Sequence, residues 1–446
     1  MKDKKIYENV SFVEIKKELN TELTEDPIDD IDAFMISAEK FTPNQYDAKN
    51  SGRLYSSIDP YALEGQRWAT NINAPVGTMS GHPVAIVAEY EVIELLRKKI
   101  GYSQAEGLGV SGGSAGNFEG INIARYMKFP EMKKHGNGQQ QLHVYVSKDG
   151  HYSVRKAAQF LGIGIDNVIE IETNEKGEML SSKLEEAIVD SEKKNAIPLV
   201  IISTAGTTVG GSFDPIHEIN KIAKIYNIYH HVDASWGGAG LFTAEPGLIG
   251  INETDSITFD AHKAIGAGVT SAFFITKHVD VLYSANSVSA DYIKAEISEY
   301  VGYDTLDMSQ QCGRRAHVFG FYFQVRALGA QGITKRIGKF YEQTRYIAKN
   351  IQAHPEMTML QSSYLNTCFQ VTSPLTHFSN SQFTNMVHQT MEREAFYKVG
   401  RGTWKGKSVI RYVTINPNTS LEDIDNFITY MVSLRGQLLE EHALQE

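Results

Sequence analysis

A glycine-rich turn is the first group of residues whose types and spacing could do chemistry. Residues 110–126, VSGGSAGNFEGINIARY, place Gly112, Gly113 and Ser114 between a strand-like run and a helical pattern. Glycines permit a tight turn, and the free N–H groups at a helix N-terminus can bind an anion such as phosphate. The segment has neither a Walker lysine nor the GxGxxG order, so a plain tight turn is the alternative.

An aspartate and a lysine follow at the ends of two later strand-like runs. HHVDASWGGAG contains Asp233, and DSITFDAHKAIGAG contains Lys263. Strand ends in parallel α/β sheets face the crevice where ligands bind. There a carboxylate could keep a cofactor's pyridine nitrogen protonated, and a lysine could form an imine with an aldehyde. Taken singly, the aspartate could cap a turn and the lysine could be a solvated surface residue.

The combination of these groups is more specific than any one of them. An anion-binding turn, Asp233 and then Lys263 match the phosphate, the pyridinium nitrogen and the aldehyde carbon of pyridoxal 5′-phosphate (PLP). His151, in HYSVRKAAQ, could stack on the ring, although a helix-capping or core histidine is the alternative. The sequence therefore predicts a PLP enzyme.

Alternating strands and helices must position these residues. The amphipathic pattern VAIVAEYEVIELLRKKIG predicts a helix that ends at Gly101. After it, β-rich runs such as HVYVS and LVIIS alternate with helical stretches. These runs are almost wholly apolar, which is typical of strands buried on both faces. The pattern predicts an α/β fold in which helices flank a mostly parallel sheet.

The length of 446 residues predicts a large domain and a smaller one. We expect an N-terminal arm over 1–80, a large PLP-binding domain over 81–330 and a small C-terminal α/β domain over 331–446. In the last of these, the sequence predicts a long helix from about 330, strands within 357–373 and 408–415, and a final helix from about Leu421, capped by Asn418, Thr419 or Ser420.

Bulk composition excludes several function classes. The formal net charge of −10 argues against a nucleic-acid or anionic-membrane partner. The two cysteines, Cys312 and Cys368, cannot make a disulfide framework, and no Cys/His cluster suggests a metal site, so we expect two buried small side chains. The charged N-terminus and the absence of any apolar run near the roughly 20 residues of a membrane span predict a cytoplasmic protein.

Several longer motifs occur in a fixed order: SGGSAGN, KDGHYSVRKAAQFLG, STAGTTVGGSFDP, HVDASWGG, DSITFDAHK and QQCGRR. Together they closely resemble the group II PLP-dependent amino-acid decarboxylases, over about residues 50 to 435. That family includes the glutamate, cysteine sulfinate, 2,4-diaminobutyrate and aromatic amino-acid enzymes. The resemblance implies a fold-type I architecture, a homodimer with active sites at the subunit interface, and conversion of an L-amino acid to an amine and carbon dioxide.

The resemblance also implies a role for individual residues. Carried onto this sequence, it implies Ser114, Ala115 and His262 at the phosphate, Thr208 near the ring hydroxyl, Asp233 at the pyridinium nitrogen, Ser235 beside it, His151 stacked over the ring, and Lys263 as the Schiff-base lysine. His151 would also take part in proton transfer. Arg411 would hold the substrate α-carboxylate.

Two further residues bear on the reaction outcome and the substrate. The proton must reach Cα rather than the cofactor, and of Tyr300 and Tyr303 in the loop 295–315 we expect Tyr300 to help deliver it. The alternative is that both tyrosines pack an ordered loop. His82, in INAPVGTMSGHP, could bind an acidic side chain or be structural. QCGRR and YLNTCF favour the glutamate and cysteine sulfinate branch, whereas VIRYVTINPNTSLEDID favours the diaminobutyrate type, so the charge preference stays open.

The sequence alone leaves other functions as alternatives. An aldehyde synthase, an aminotransferase or another lyase would share every cofactor residue, and only its products would distinguish it. QCGRR and the GTT-containing segment favour a decarboxylase over an aminotransferase. A non-catalytic scaffold and a nicotinamide-binding protein fit less well, because the residues expected to bind PLP are intact and GxGxxG is absent.

Overall fold

The computed structural model describes residues 5–23, 25, 27, 30–73, 75–288 and 302–443. The chain divides into two compact units. The central unit is Ile58–Gly338, and the terminal unit combines Met1–Ser57 with Lys339–Glu446. This division differs from the predicted segments 1–80, 81–330 and 331–446 mainly at the N-terminus. The first 57 residues are grouped with the C-terminal part because a short N-terminal strand joins its sheet.

The helices of the described residues are α1 (Phe12–Leu19), α2 (Ile31–Glu39), α3 (Pro60–Ile72), α4 (Pro83–Ile100), α5 (Gly113–Lys128), α6 (Met132–His135), α7 (Ser153–Phe160), α8 (Ser181–Lys193), α9 (Ile216–Tyr226), α10 (Val281–Asn286), α11 (Val318–Ala353), α12 (Asn380–Glu394) and α13 (Leu421–Ala443). The strands are β1 (Asn50–Ser51), β2 (Pro75–Val76), β3 (Glu106–Val110), β4 (Leu142–Ser147), β5 (Val168–Ile171), β6 (Ile197–Thr204), β7 (Tyr229–Ala234), β8 (Ser256–Asp260), β9 (Ala272–Thr276), β10 (Arg314–Arg315), β11 (Met357–Ser363), β12 (Asn366–Val371), β13 (Lys398–Trp404) and β14 (Lys407–Val413).

A seven-stranded sheet in the order β3-β9-β8-β7-β6-β4-β5 forms the middle of the central unit. The strands β5, β4, β6, β7 and β8 pair in parallel, while β9 pairs antiparallel with both β8 and β3. Every residue of β4, β7 and β8 is buried, as expected for strands covered on both faces, although β7 includes the polar residues His230, His231 and Asp233. The predicted mostly parallel α/β sheet is therefore confirmed.

Two predicted helix boundaries, the end of α4 and the start of α5, are present in the structure. Helix α4 ends as expected at Gly101, whose φ of +89° is the left-handed conformation that glycine adopts readily. Strand β3 leads through Gly112, with φ +110°, into α5, which begins at Gly113. The strand–turn–helix order predicted for VSGGSAGN is thus present.

The terminal unit contains a five-stranded sheet in the order β1-β13-β14-β12-β11. Its pairings are antiparallel except that β1 pairs in parallel with β13. Its core includes the fully buried Phe369, Phe383 and Phe427. Helix α13 begins at Leu421 as predicted, and of the three proposed caps it is Ser420 whose hydroxyl accepts from the backbone N–H of Asp423, at 3.1 Å.

Three details differ from the prediction. The long helix predicted from about 330 is present, but a helical segment that begins at Val318 precedes it and was not predicted, because its nearly continuous aromatic run shows no amphipathic period. Gly329, with non-helical backbone angles, separates the two segments of α11. Strand β13 was not predicted, since it is half-exposed and contains two glycines. Finally, Cys368 is buried but Cys312 is exposed.

Candidate active site

The carboxyl ends of β6, β7 and β8 and the start of α5 surround a cavity of about 240 Å³ in the central unit. Seven of the residues expected at the cofactor line it: Ser114, His151, Thr208, Asp233, Ser235, His262 and Lys263. They come from segments far apart in the chain, so the fold, rather than local sequence, brings them together. This is the position at which open α/β sheets bind their ligands.

Lys263 forms an ion pair with Asp260 in this cavity. The distance from Lys263 Nζ to Asp260 Oδ2 is 3.1 Å, and His262 Nε2 lies 3.8 Å from the same oxygen. Only 2% of the Asp260 side chain is exposed, so this carboxylate meets the lysine away from bulk water. The sequence analysis missed Asp260. Its signal was there, because Asp260 ends the strand run of DSITFDAHK just as Asp233 lies near the end of the run before it.

Asp233 is a buried, hydrogen-bonded carboxylate. Its Oδ2 accepts from Asn117 Nδ2 at 2.7 Å, and its Oδ1 accepts from the backbone N–H of Ser235 at 3.1 Å. Burial by itself would raise the pKa of Asp233, but the charge of Lys263 and these hydrogen bonds hold that pKa below its ordinary value. The group is therefore ionised at neutral pH and suited to a cationic partner.

His151 lies just before α7, on the wall of the same cavity. Its Nδ1 is 2.8 Å from Ser153 Oγ, and it accepts from the backbone N–H of Ser153 at 3.3 Å. Burial lowers the pKa of His151, so its ring is neutral at neutral pH. The ring lies on the cavity wall, as predicted for a residue at the cofactor. It is also hydrogen-bonded to the first residue of α7, as in the alternative of a helix-capping histidine.

The turn before α5 approaches the opposite wall closely. A side-chain carbon at Gly113 would lie 2.2 Å from Ser235 Oγ and 2.9 Å from Asp260 Oδ2, so only glycine fits there. Gly113 and Ser114 begin α5, and the free N–H groups at the start of a helix can bind an anion.

The polar atoms on the wall test whether PLP fits this cavity. Within the described part of the chain, Thr204 Oγ1, Ser235 Oγ and Asp260 Oδ1 are buried without a hydrogen-bond partner. Buried polar atoms in folded proteins are normally hydrogen-bonded. Three such atoms beside an anion-binding turn, a lysine and an ionised carboxylate fit a small ligand that carries a phosphate and several polar groups, as PLP does.

Four expected site residues lie elsewhere or cannot be placed. The backbone N–H of Ala115 donates to Gly112 O at 3.0 Å, and Ala115 is not on the cavity wall. His82 is also off this wall: it is buried with its ring 5.5 Å from that of Phe319, and burial lowers its pKa. Arg411 belongs to the terminal unit. Tyr300 lies outside the described residues.

Arg411 lines a separate cavity of about 670 Å³ within the terminal unit. Its Nη2 donates to Gly52 O at 3.0 Å, and 8% of the residue is exposed. The charged residues on this wall are mostly basic: Arg53, Arg393, Lys398, Arg401 and Arg411 face a single carboxylate, Glu392. The excess of positive charge makes this cavity suited to an anionic group.

The described residues show neither a metal-binding cluster nor a membrane-spanning helix. No group of three or more His, Cys, Asp and Glu side chains in the described ranges could hold a metal ion. Among the helices that the structure describes, none is long and apolar enough to cross a membrane.

The sequence matches a family model and curated relatives over most of its length. Residues 17–372 match the family model described as "Pyridoxal-dependent decarboxylase conserved domain". The chain is 33% identical to "Acidic amino acid decarboxylase GADL1" of Xenopus tropicalis over 391 residues, which cover 84% of this chain and 76% of that protein. It is 31% identical to "Cysteine sulfinic acid decarboxylase" of Mus musculus over 403 residues, which cover 86% and 81%.

Solved structures extend the likeness to the whole fold. The crystal structure of mouse CSAD superposes with a TM-score of 0.91 at 27% identity, covering 97% of this chain and 94% of that one. The Oryza sativa TDC with PLP and tryptamine superposes with a TM-score of 0.89 at 16% identity, covering 97% and 93%, which is a likeness of fold alone. The predicted fold-type I architecture is thus confirmed. On its motifs, its match to the family model and its relatives, the chain belongs to the group II PLP-dependent amino-acid decarboxylases, and its cofactor is PLP.

Proposed function

We propose that this decarboxylase acts on an acidic L-amino acid, whose α-carboxylate leaves as carbon dioxide at the cavity around Lys263. The observation that carries the proposal is the meeting of Lys263, Asp233 and His151 on one cavity wall. When bound, PLP supplies the electron sink that accepts the electron pair left on Cα.

The residues of the chain then have separate tasks. Lys263 Nζ would hold the aldehyde carbon of PLP, and the ionised Asp233 would keep a proton on its pyridine nitrogen. The neutral ring of His151 would contact the ring of PLP. The first turn of α5, with Ser114 and Ala115, binds the phosphate together with His262. Thr208 and Ser235 supply polar groups to the ring substituents. These roles follow from the family resemblance and are supported by the cavity wall, which includes all of these residues except Ala115.

The relatives of this chain support an acidic substrate. The printed names of the relatives refer to acidic amino acids and to cysteine sulfinic acid. In this chain, the cavity around Arg411 carries five basic residues against one acidic residue. We propose that Arg411 binds a carboxylate of the substrate, the α-carboxylate by the family resemblance. For the acidic side chain we propose His82, whose ring packs against those of Phe319 and Trp68.

We also propose that the protein works as a homodimer in the cytoplasm, with active sites at the subunit interface. Exposed apolar side chains on α1 and α2 support an interface: Phe12 is 79% exposed and Ile36 is 66% exposed. Light scattering after size-exclusion chromatography measures the mass directly. A monomer that is fully active at every concentration tested would contradict the dimer.

The test of function is a substrate panel on the purified protein loaded with PLP. Glutamate, aspartate, cysteine sulfinate, 2,4-diaminobutyrate and tryptophan are assayed singly for carbon dioxide and amine. We expect equal amounts of carbon dioxide and amine from an acidic amino acid alone. Activity on the diamino or the aromatic substrate would overturn the acidic assignment. Accumulation of aldehyde, ketone or the pyridoxamine form with every substrate would identify an aldehyde synthase or an aminotransferase instead.

Arg411 and Tyr300 are tested in the same assay. Arg411→Ala should raise KM for the acidic substrate, whereas Arg345→Ala, which removes an exposed arginine of the same unit, should not. Tyr300→Phe should raise the fraction of turnovers that end in the pyridoxamine form, and Tyr303→Phe serves as its control. If Tyr303→Phe has the larger effect, the assignment of Tyr300 is wrong.

A further inference from the structure

A buried hydrogen-bond network lies beneath the cavity wall, and its central member is Asn117. Asn117 is on α5, and 1% of its surface is exposed. Its Nδ2 donates to Asp233 Oδ2 at 2.7 Å and to Ser153 Oγ at 2.9 Å. One amide group therefore holds the carboxylate at the end of β7 and the serine that begins α7.

The oxygen of the same amide contacts His231. His231 and Asp233 are two residues apart on β7, so their side chains point to the same face of the sheet. Asn117 Oδ1 lies 3.1 Å from His231 Nε2, and His231 Nδ1 lies 2.8 Å from Ser256 Oγ. Because the carboxylate of Asp233 can only accept, the NH₂ of Asn117 must face it, and the oxygen must face His231. His231 Nε2 also lies 3.1 Å from Thr258 Oγ1. Because the amide oxygen of Asn117 can only accept, a hydrogen bond between it and His231 requires the hydrogen on Nε2.

The same logic fixes the proton on His151. The Ser153 hydroxyl accepts from Asn117, and the backbone N–H of Ser153 donates to His151 Nδ1. His151 Nδ1 is consequently an acceptor, and the Ser153 hydroxyl hydrogen points to it across 2.8 Å. A neutral His151 must then carry its proton on Nε2.

We infer that Asn117 is a positioning residue that couples the two cofactor-contacting side chains, holding Asp233 directly and holding His151 through Ser153 as its Nε2–H tautomer. His231 holds the oxygen of the amide. This inference rests on the proposed roles of Asp233 and His151. It adds that neither is positioned independently: a change at His231, which is not on the cavity wall, reaches both.

The test compares two replacements of His231 and one of Ser153. His231→Gln can keep an N–H near the position of Nε2, whereas His231→Met has a similar length and no donor. Ser153→Ala removes only the connection to His151. For each variant we would measure the melting temperature of the apoenzyme, the Kd of PLP for the apoenzyme, and the ratio of amine to pyridoxamine form produced per turnover.

His231→Met should weaken PLP binding by about 10-fold or more, the scale on which outer-shell partners act on a bound group, and should raise the fraction of abortive turnovers. His231→Gln should restore both values toward those of the wild type. Ser153→Ala should raise the abortive fraction while leaving the PLP Kd near the wild-type value, because Asp233 keeps its bond from Asn117.

The outcomes separate this inference from the proposed function. If His231→Met fails to fold, Ser153→Ala alone decides, since it removes a single oxygen. A folded Ser153→Ala with the wild-type product ratio would contradict the coupling to His151. A folded His231→Met with the wild-type Kd would contradict the coupling to Asp233. A wild-type protein that binds no PLP or forms no amine would instead refute the proposed function.

Discussion

Lys263 Nζ lies 3.1 Å from Oδ2 of Asp260, the carboxylate three residues before it. Asp260 is at the end of β8, and Lys263 follows in the turn, so a short local contact fixes the amine at the edge of the sheet. Two ionisable acids, Asp233 and Asp260, thus share the cavity with one lysine. Their roles differ: Asp260 is the partner of the lysine, whereas Asp233 is bound by Asn117 and the backbone of Ser235.

Lys263→Ala should abolish covalent attachment of PLP. No other lysine lines the cavity in the described part of the chain, so none can replace it there. Borohydride reduction followed by peptide mass spectrometry should find the cofactor on Lys263 in the wild type and nowhere in the variant. Lys183→Ala, which removes an exposed lysine on α8, should be labelled as the wild type is. Labelling of Lys263→Ala at another lysine would contradict the assignment.

Asp233→Asn should lower kcat by about 100-fold or more, because a neutral amide cannot hold the proton on the pyridine nitrogen, and loss of one such electrostatic contact costs on that scale. The change keeps the size of the side chain, so the apoenzyme should melt near the wild-type temperature. Asp166→Asn, at an exposed aspartate of the same unit, is the control. Activity that survives in Asp233→Asn would remove this residue from the mechanism.

Gly113→Ala should prevent PLP binding, because the added carbon would lie 2.2 Å from Ser235 Oγ at the anion-binding turn. The matched control is Gly436→Ala in α13, where an added carbon meets nothing within 4 Å. That control should keep its affinity for PLP and gain up to about 1 kcal/mol of stability from the better helix propensity of alanine. Equilibrium titration of the apoenzymes with PLP compares the two. Wild-type affinity in Gly113→Ala would show that the turn does not bind the phosphate.

Glu119→Gln should change the pH dependence of stability. Glu119 is buried on α5 beside Asn286, and burial raises its pKa from 4.5 to about 7. The folded state therefore holds a proton that the unfolded state releases above its lower pKa, so this group's favourable contribution is lost as the pH rises through 7. A permanently neutral glutamine avoids that loss.

The variant should therefore gain stability relative to the wild type as the pH rises from 5 to 8, by roughly 2–3 kcal/mol in the free energy of unfolding. Urea denaturation of both proteins at the two pH values measures this difference. Glu91→Gln, at an exposed position on α4, should show no such trend. A pH-independent difference between Glu119→Gln and the wild type would mean that Glu119 is ionised when folded.

Much of the central unit could be predicted from the sequence, for a physical reason. Buried parallel strands such as β4 and β6 are mostly apolar, and chemistry is placed where those strands end, so Asp233 and Lys263 could be identified by position. The family motifs then supplied the roles of His151 and Ser114. All of these depend on signals that are local in the chain.

The parts that could not be predicted depend on contacts between distant segments. Asn117 sits in a helix, and His231 sits in a strand, and neither pattern indicates that they meet. Strand β13 was missed because only its pairing with β14 and β1 makes its glycine-containing run a strand. The first segment of α11, residues 318–328, was missed because its aromatic run shows no regular alternation of apolar and polar faces to define a helical period.

The parallel pairing of β1 with β13 places Asn50 opposite Lys398, which has a consequence for how the protein is made. A ribosome adds about 5–20 residues per second, so the N-terminal segment emerges roughly tens of seconds before its partner strand exists. During that interval β1 has no partner strand, so the five-stranded sheet of the terminal unit cannot be completed. Nascent chains should therefore depend on chaperones until translation is nearly complete, and a fusion tag at the N-terminus should disturb biogenesis more than one at the C-terminus.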